Sequence, residues 1–133
     1  MECIEILTTT STAHSYIGKR EIPPGALTIS IADEFSKTPG GRYRTEGPFS
    51  GEQFREELLL PRFDEAVKQK VKLYVDLDGG YGYPSSFLEE AFGGLARVKK
   101  SASLVENTIV FNSTEEPYLV DDVLRYIRDA RLK

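Results

Sequence analysis

The sequence of 133 residues predicts a single α/β domain, 1–133, with a central mixed or parallel sheet flanked by about three to four helices. Over 71–77, Val and Leu alternate with Lys, Tyr and Asp, which is the period-2 pattern of a strand. After residue 49 the predicted order is helix, strand, helix, strand, helix. Such alternation implies parallel strands joined by right-handed crossovers. We therefore expect strand 71–77, with apolar-faced helices on both sides in sequence, to lie in the centre of the sheet.

The first third of the chain contains two extended stretches, at 2–8 and 26–32, and His14 lies in the loop between them. A short helical turn is predicted at 33–36. Residues 37–48 contain three glycines and two prolines in twelve positions, which indicates a loop.

The start of the first long helix is marked by its capping residues. Ser50 is the expected N-cap and Gln53 completes a capping box, while Phe49 and Phe54 have the spacing of a hydrophobic staple. Pro61 is expected to end or kink this helix, or to be the first residue of a second segment.

The second long helix follows strand 71–77 and a Gly/Tyr turn. Ser86 has the spacing of an N-cap with Glu89 as its capping-box partner, so Ser85 is expected just outside the helix, exposed to solvent. A polar stretch then leads to a last strand near 107–112. A final helix is predicted over 118–132, with i, i+4 ion pairs Asp121–Arg125 and Asp129–Lys133.

A strand, a short turn, two serines and a helix with a glycine-rich back resemble the STAS domain of anti-sigma factor antagonists. In those proteins a partner kinase phosphorylates the first serine of the motif. That serine corresponds to Ser85, the next hydroxyl to Ser86 and the motif's leucine to Leu88. Pro84 stands where the family has Asp, and Phe87 where it has Gly.

The chain is more similar still to a bacterial STAS-like family of uncharacterised function. The similarity rests on the segment FSKTPGGRYRTEGPFSGEQFREELLLP at 35–61 and on VDLDG and PSSFLEEAFGGL within 75–95. It implies a STAS-like fold and a non-enzymatic regulatory protein-interaction module. The implied partner is a regulatory protein such as a kinase-like ATPase of the anti-sigma type. The expected switch and partner-binding residues are Ser85, Ser86, Tyr81, Tyr83 and Glu89.

Phosphorylation of Ser85 would place about −1.5 to −2 charges at a helix N-terminus. The nearby carboxylates of Asp76, Asp78, Glu89 and Glu90 suggest an acidic surface, on which a phosphate would disrupt docking. The sequence therefore predicts an off switch. The competing interpretation is that the two serines only cap the helix.

A second functional hypothesis is a small-ligand or nucleotide sensor that uses loop 37–48. Gly41, Arg42 and Arg44 could bind a phosphate through guanidinium groups and a nest of backbone N–H groups. Some STAS domains bind nucleotides or lipids. The loop lacks the spacing of a Walker motif, and an ordinary solvated connection is the alternative.

Asp76-Leu-Asp78-Gly79 also resembles the first motif of haloacid-dehalogenase-type phosphatases, in which two aspartates act beside Mg²⁺. Gly80 stands where that motif has Thr, and only 55 residues follow Asp78. We expect these aspartates to lie on the solvent side of the strand and to start a turn, so no catalytic residues are predicted.

Composition excludes several further classes. A net charge of −4 and a pI near 5.1 argue against a nucleic-acid binder. No apolar run approaches 18 residues and the first ten lack a basic n-region, so neither a membrane span nor a signal peptide is expected. Cys3 is the only cysteine and His14 the only histidine, so we expect a cytoplasmic protein without metal or other cofactor. The sequence leaves the oligomeric state open.

Overall fold

A computed structural model of the chain describes Pro23 and residues 26–130. The predicted strand 2–8, with Cys3, and the loop containing His14 lie outside these residues. Lys133, the predicted partner of Asp129, also lies outside them. Among the described residues, no helix is long and apolar enough to cross a membrane.

The described part of the sheet has three parallel strands in the order β1, β2, β3, so the strand predicted at 71–77 is central, as expected. Ser30, Asp76 and Asn112 are aligned across the sheet, which places the carboxyl ends of all three strands at one edge. The strands are β1 (Leu27–Ser30), β2 (Leu73–Asp76) and β3 (Ile109–Asn112).

Two long helices are continuous although each contains a central π turn. The first runs over 51–69 and its π turn is Arg55–Leu59; the second runs over 85–99 and its π turn is Glu89–Gly93. The α segments are α1 (Ile31–Glu34), α2 (Gly51–Phe54), α3 (Leu60–Gln69), α4 (Ser85–Leu88), α5 (Gly94–Lys99), α6 (Ala102–Thr108) and α7 (Tyr118–Asp129), and a 3₁₀ turn spans Arg44–Glu46.

Pro61 neither ends the first long helix nor breaks it. It lies in the first turn of α3, directly after the first π turn, in which the Leu60 N–H donates to the Arg55 carbonyl. A proline cannot donate to the helical ladder, and its ring crowds the carbonyl four residues earlier in a regular α-helix. The wider π turn changes the ladder at this point, which lets the helix continue.

Ser50 is the N-cap of the first long helix, as predicted, and its Oγ accepts the Gln53 N–H at 3.0 Å. The Gln53 side chain accepts the Phe49 N–H at 2.9 Å, one residue before the Ser50 N–H that a capping box uses. Phe49 and Phe54 both pack edge-on against Phe35, with ring centroids 5.4 and 5.3 Å away. Phe49 has a positive φ of 60°, an uncommon conformation for a bulky residue.

Helix α1 begins inside the stretch predicted to be extended to residue 32. The Ser30 Oγ accepts the Asp33 N–H at 3.2 Å, so Ser30 caps a helix at the point where β1 ends. This local cap competes with continuation of the strand, because Ser can satisfy the orphan N–H groups of a helix start.

Helix α6 was not predicted, and the last strand begins at Ile109 rather than 107. Ser101 caps α6 by accepting the Leu104 N–H at 3.1 Å. The sequence of this segment is mostly polar and does not predict a helix. The helix is stabilised by the burial of Val105 and Thr108 against the rest of the fold rather than by intrinsic helix propensity.

The final helix begins at Tyr118 as predicted and ends at Asp129. Its apolar face is buried through Leu119, Val123 and Ile127. Arg125 pairs with Asp122 at 3.3 Å instead of with Asp121, an i, i+3 rather than an i, i+4 contact.

A continuous aromatic core fixes the second long helix against the sheet. Phe92 contacts Phe111 of β3 at 5.2 Å and Phe54 of the first long helix at 6.0 Å between ring centroids. Phe87, at the start of the helix, contacts Phe54 at 5.8 Å. These four rings are fully buried, and each contributes about 1.5–3 kcal/mol. The core therefore determines where Ser85 lies.

Candidate functional site

Ser85 is the first residue of the second long helix and is exposed, while Ser86 is half-buried. The N-cap is Pro84, whose extended backbone aims its carbonyl at the Phe87 and Leu88 N–H groups at 3.0 and 3.3 Å. Neither serine caps the helix, so the predicted capping role is wrong. The Ser85 hydroxyl has no capping function in this fold.

The predicted capping box fails because Glu89 has other partners. Its carboxylate accepts a hydrogen bond from Arg97 Nη1 at 2.7 Å and a short one from Arg42 Nη1. Burial raises the pKa of Glu89, but the hydrogen bonds and charges of Arg97 and Arg42 outweigh this and lower the pKa overall. Glu89 is therefore a structural anion rather than part of the Ser86 cap.

The two predicted tyrosines before the helix have different environments. Tyr81 is 82% exposed, and its backbone N–H donates to the Lys37 carbonyl at 2.8 Å. Tyr83 is half-buried; its hydroxyl donates to the Leu77 carbonyl at 2.9 Å and its ring stacks on Phe87. Burial, with smaller effects of the carboxylates at 76, 78, 115 and 116, raises the pKa of Tyr83. Only Tyr81 is presented to solvent.

Asp76 and Asp78 are buried, 8% and 7% exposed, which corrects the expectation that they face solvent. The Asp78 carboxylate accepts from the Thr114 N–H and hydroxyl at 2.9 and 2.7 Å and from the Glu115 N–H at 3.0 Å. Asn112 Nδ2 donates to Asp76 Oδ1 at 2.9 Å. These aspartates therefore tie β2 to β3 and to the loop that leads into α7.

The acidic surface predicted around Ser85 is also corrected. Asp76 and Asp78 face inward, Glu89 is paired with two arginines, and Glu90 is buried against Arg55. The acidic residues that lie near Ser85 in sequence therefore do not make the surface around it acidic, because their carboxylates bind donors from other parts of the fold.

An arginine–glutamate network, made of Arg42, Arg55, Arg97, Glu89 and Glu90, joins the two π turns. Arg55 Nη1 in the first π turn lies 2.6 Å from Glu90 Oε2 and 2.8 Å from the Glu90 carbonyl in the second. Arg42 and Arg97 approach Glu90 at 3.5 and 3.6 Å in addition to binding Glu89. Three guanidinium groups thus surround two carboxylates and fix the second long helix to the first and to loop 37–48.

Sequence reasoning missed this network, except for Arg42 and Glu89 as separate candidates. Its pairs are 7 to 48 residues apart in sequence, outside the i, i+3 and i, i+4 spacings of helical ion pairs. The one sequence feature that could have indicated this close contact between the helices was the presence of glycines within them. A Cβ at Gly94 would lie 2.4 Å from Arg55 Nη1, and a Cβ at Gly51 would lie 2.5 Å from the Phe87 carbonyl oxygen. These glycines allow the close approach.

Loop 37–48 is closely tied to the first long helix. The Gly41 carbonyl accepts the Gly51 N–H at 2.9 Å. Arg44 Nη2 lies 2.9 Å from Glu56 Oε1, and Nη1 lies 3.4 Å from Glu57 Oε2. The loop arginines thus already bind carboxylates, and a phosphate would have to replace one of them. Ligand binding by this loop stays a prediction.

Of the two predicted loop arginines, only Arg42 contacts the second long helix, through Glu89. Arg44 instead pairs with carboxylates of the first long helix.

No group of three or more His, Cys, Asp or Glu residues that could hold a metal ion is found among residues 26–130.

Comparison with known proteins identifies the family. A family model described as "STAS-like domain of unknown function (DUF4325)" matches residues 50–119, which run from the cap of the first long helix to the start of α7. No curated protein and no solved structure shows a significant match. The matched segment covers more than half of the chain and contains both long helices and the two strands β2 and β3. The chain belongs to this STAS-like family of unknown function.

Proposed function

We propose that this chain is a non-enzymatic regulatory module that docks a partner protein through the start of the second long helix, and that phosphorylation of Ser85 weakens this docking. The observation that carries the proposal is the position of Ser85: it is exposed, lies at the first helical position, and does not cap the helix. Its hydroxyl is therefore available for modification without loss of a folding contact.

Two exposed aromatic side chains lie on the segments that precede the two long helices. Tyr81 and Phe49 are both exposed aromatic residues, at 82% and 40%. Backbone hydrogen bonds connect them to one segment, from the Tyr81 N–H to the Lys37 carbonyl and from the Gly40 N–H to the Phe49 carbonyl, each 2.8 Å. Exposed aromatic side chains on a fixed backbone are typical of interaction hot spots.

The expected off switch has a different electrostatic basis from the one that the sequence suggested. Because the neighbouring carboxylates are buried or paired, the unmodified start of the helix is not strongly acidic. A phosphate at Ser85 would introduce about −1.5 to −2 charges, stabilised by the helix N-terminus, and a docking partner would have to desolvate it. The similarity to anti-sigma factor antagonists supports a kinase-like ATPase as the partner.

The proposal is tested by affinity capture from the native host, with quantitative mass spectrometry on wild type, Ser85→Asp, Ser85→Ala and Tyr81→Ala. Ser103→Asp is the matched control, because Ser103 is an exposed serine in the first turn of another helix, α6. We expect the Ser85→Asp and Tyr81→Ala variants to lose a protein that wild type, Ser85→Ala and Ser103→Asp retain.

Thermal unfolding of each variant shows whether loss of capture reflects loss of folding. Ser85→Asp and Ser85→Ala should unfold like wild type, since the hydroxyl makes no cap. Capture of the same proteins by Ser85→Asp and by wild type would contradict the switch. Failure of wild type to enrich any protein over Tyr81→Ala would contradict the interface.

A further inference from the structure

A groove lies at the amino ends of β2 and β3, between the C-terminal ends of α3 and α6. Its volume is about 290 Å³. Lys72 directly precedes β2, whereas Ser85 follows the carboxyl end of that strand, so the groove and the Ser85 surface lie at opposite ends of the sheet. The residues that line it are Ala66, Val67, Lys70, Val71, Lys72, Leu104, Asn107 and Thr108.

Four of the eight lining residues of the groove are apolar, and three of these face solvent. Val67, Val71 and Leu104 are 40%, 44% and 38% exposed, and the groove continues inward to the fully buried Ala66. Covering such side chains is favourable because it removes apolar surface from water. Contiguous exposed apolar surface in a concave position is typical of an interaction site.

The rim of the groove is basic although the chain as a whole carries a net charge of −4. Two of the lining residues, Lys70 and Lys72, are exposed lysines, and the lining contains no carboxylate. Lys72 Nζ donates to the Asn107 carbonyl, which fixes one ammonium group over the end of α6. Lys70 has a left-handed backbone that ends α3. The local charge is thus opposite in sign to that of the whole protein.

We propose that this groove docks an acidic peptide segment of a partner protein, with one or two large apolar side chains seated between Val67, Val71 and Leu104. Carboxylates of the peptide pair with the lysine rim, which provides the charge complementarity. The volume of about 290 Å³ lies just below the range of about 300–1,000 Å³ for small-molecule sites, and it suits side chains of a peptide.

This surface is independent of the one proposed at Ser85. The two lie at opposite ends of the sheet and share no residue, so a partner at one leaves the other accessible. The chain would then act as an adaptor that holds two proteins at once.

The test is selection of a random peptide library displayed on phage against the full chain. Selected peptides are synthesised with a fluorophore, and their binding is measured by anisotropy against wild type, Lys70→Glu, Val71→Glu and the control Lys37→Glu, an exposed lysine beside Tyr81. We expect peptides that combine acidic and large apolar residues. Their affinity should fall about tenfold or more in the two groove variants, a loss of about 1.4 kcal/mol, and stay unchanged in Lys37→Glu.

Thermal unfolding of the variants verifies that they remain folded. The proposal is overturned if the library yields no binder, or if the selected peptides bind the groove variants as well as they bind wild type. A second arm measures sedimentation with vesicles of phosphatidylcholine and phosphatidylserine. Sedimentation of wild type that Lys70→Glu abolishes, without peptide selection, would assign the groove to an anionic membrane and would also overturn the proposal.

Discussion

The Arg55–Glu90 pair provides the most direct test of how the two long helices are held together. Both side chains are nearly buried, 11% and 10% exposed, and the guanidinium group contacts both the carboxylate and the backbone carbonyl of Glu90. Arg55→Met removes the charge and both hydrogen bonds while preserving much of the side-chain volume. The Glu90 carboxylate would then remain buried without its nearest cation.

The magnitude follows from the surroundings of Glu90. Removing one partner of a buried ion pair costs about 3–5 kcal/mol. Arg42 and Arg97 remain near Glu90, at 3.5 and 3.6 Å, and they offset part of this loss. We therefore expect Arg55→Met to lower the free energy of unfolding by about 3 kcal/mol, the low end of that range.

A double-mutant cycle with Glu90→Leu separates the pair from its surroundings. Replacing both partners of a buried ion pair by apolar residues is often neutral or stabilising, so the double variant should be more stable than Arg55→Met alone. Urea unfolding followed by circular dichroism gives each free energy. Arg44→Met is the control, because that arginine makes only exposed ion pairs and its loss should be undetectable.

The reasoning would be refuted if Arg55→Met were as stable as Arg44→Met. It would also be refuted if the losses of the two single variants simply added in the double variant, since additivity means that the two side chains do not interact.

Three further predictions concern the same region. Ser50→Ala should lower the free energy of unfolding by about 0.5–2 kcal/mol through loss of the hydrogen bond to the Gln53 N–H; unchanged urea unfolding would contradict the cap. Gly51→Ala should cost about 1–3 kcal/mol, because its Cβ would lie 2.5 Å from the Phe87 carbonyl oxygen and the helices must separate; a stabilised variant would contradict that close approach. The pKa of Glu89 is lower in the folded chain than its ordinary 4.5, so its contribution is present above about pH 4.5 and is lost as pH falls through the lowered value. Glu89→Gln should therefore show a smaller loss of stability on acidification than wild type, as measured by urea unfolding at each pH.

Local sequence patterns determined the order of the main elements. The alternation over 71–77 predicted the strand, and parallel strands follow from the helices that separate β1, β2 and β3. Ser50 and Gln53 predicted a helix start because both groups belong to one turn of the chain. Such patterns work where the decisive contacts are formed by residues a few positions apart.

Where a local pattern competed with partners from elsewhere in the chain, the tertiary structure decided. Ser86 and Glu89 have the spacing of a capping box, yet Glu89 binds Arg42 and Arg97 and Pro84 is the cap. Two guanidinium donors of opposite charge outweigh the single uncharged backbone N–H that Ser86 could offer to the carboxylate. Asp78 appeared to be a solvent-facing turn residue, but donors more than thirty positions away surround it.

For the candidate sites, too, the sequence determined some features and the tertiary structure decided the others. The sequence by itself determined that the second long helix begins near Ser85 and Ser86, although it named Ser86 rather than Pro84 as the N-cap. Only the tertiary structure decided that neither serine caps the helix, that three arginines neutralise Glu89 and Glu90, and that Val71 and Leu104 line one groove with Lys70 and Lys72. The physical reason is that burial and charge pairing depend on distances between segments, which no local periodicity specifies.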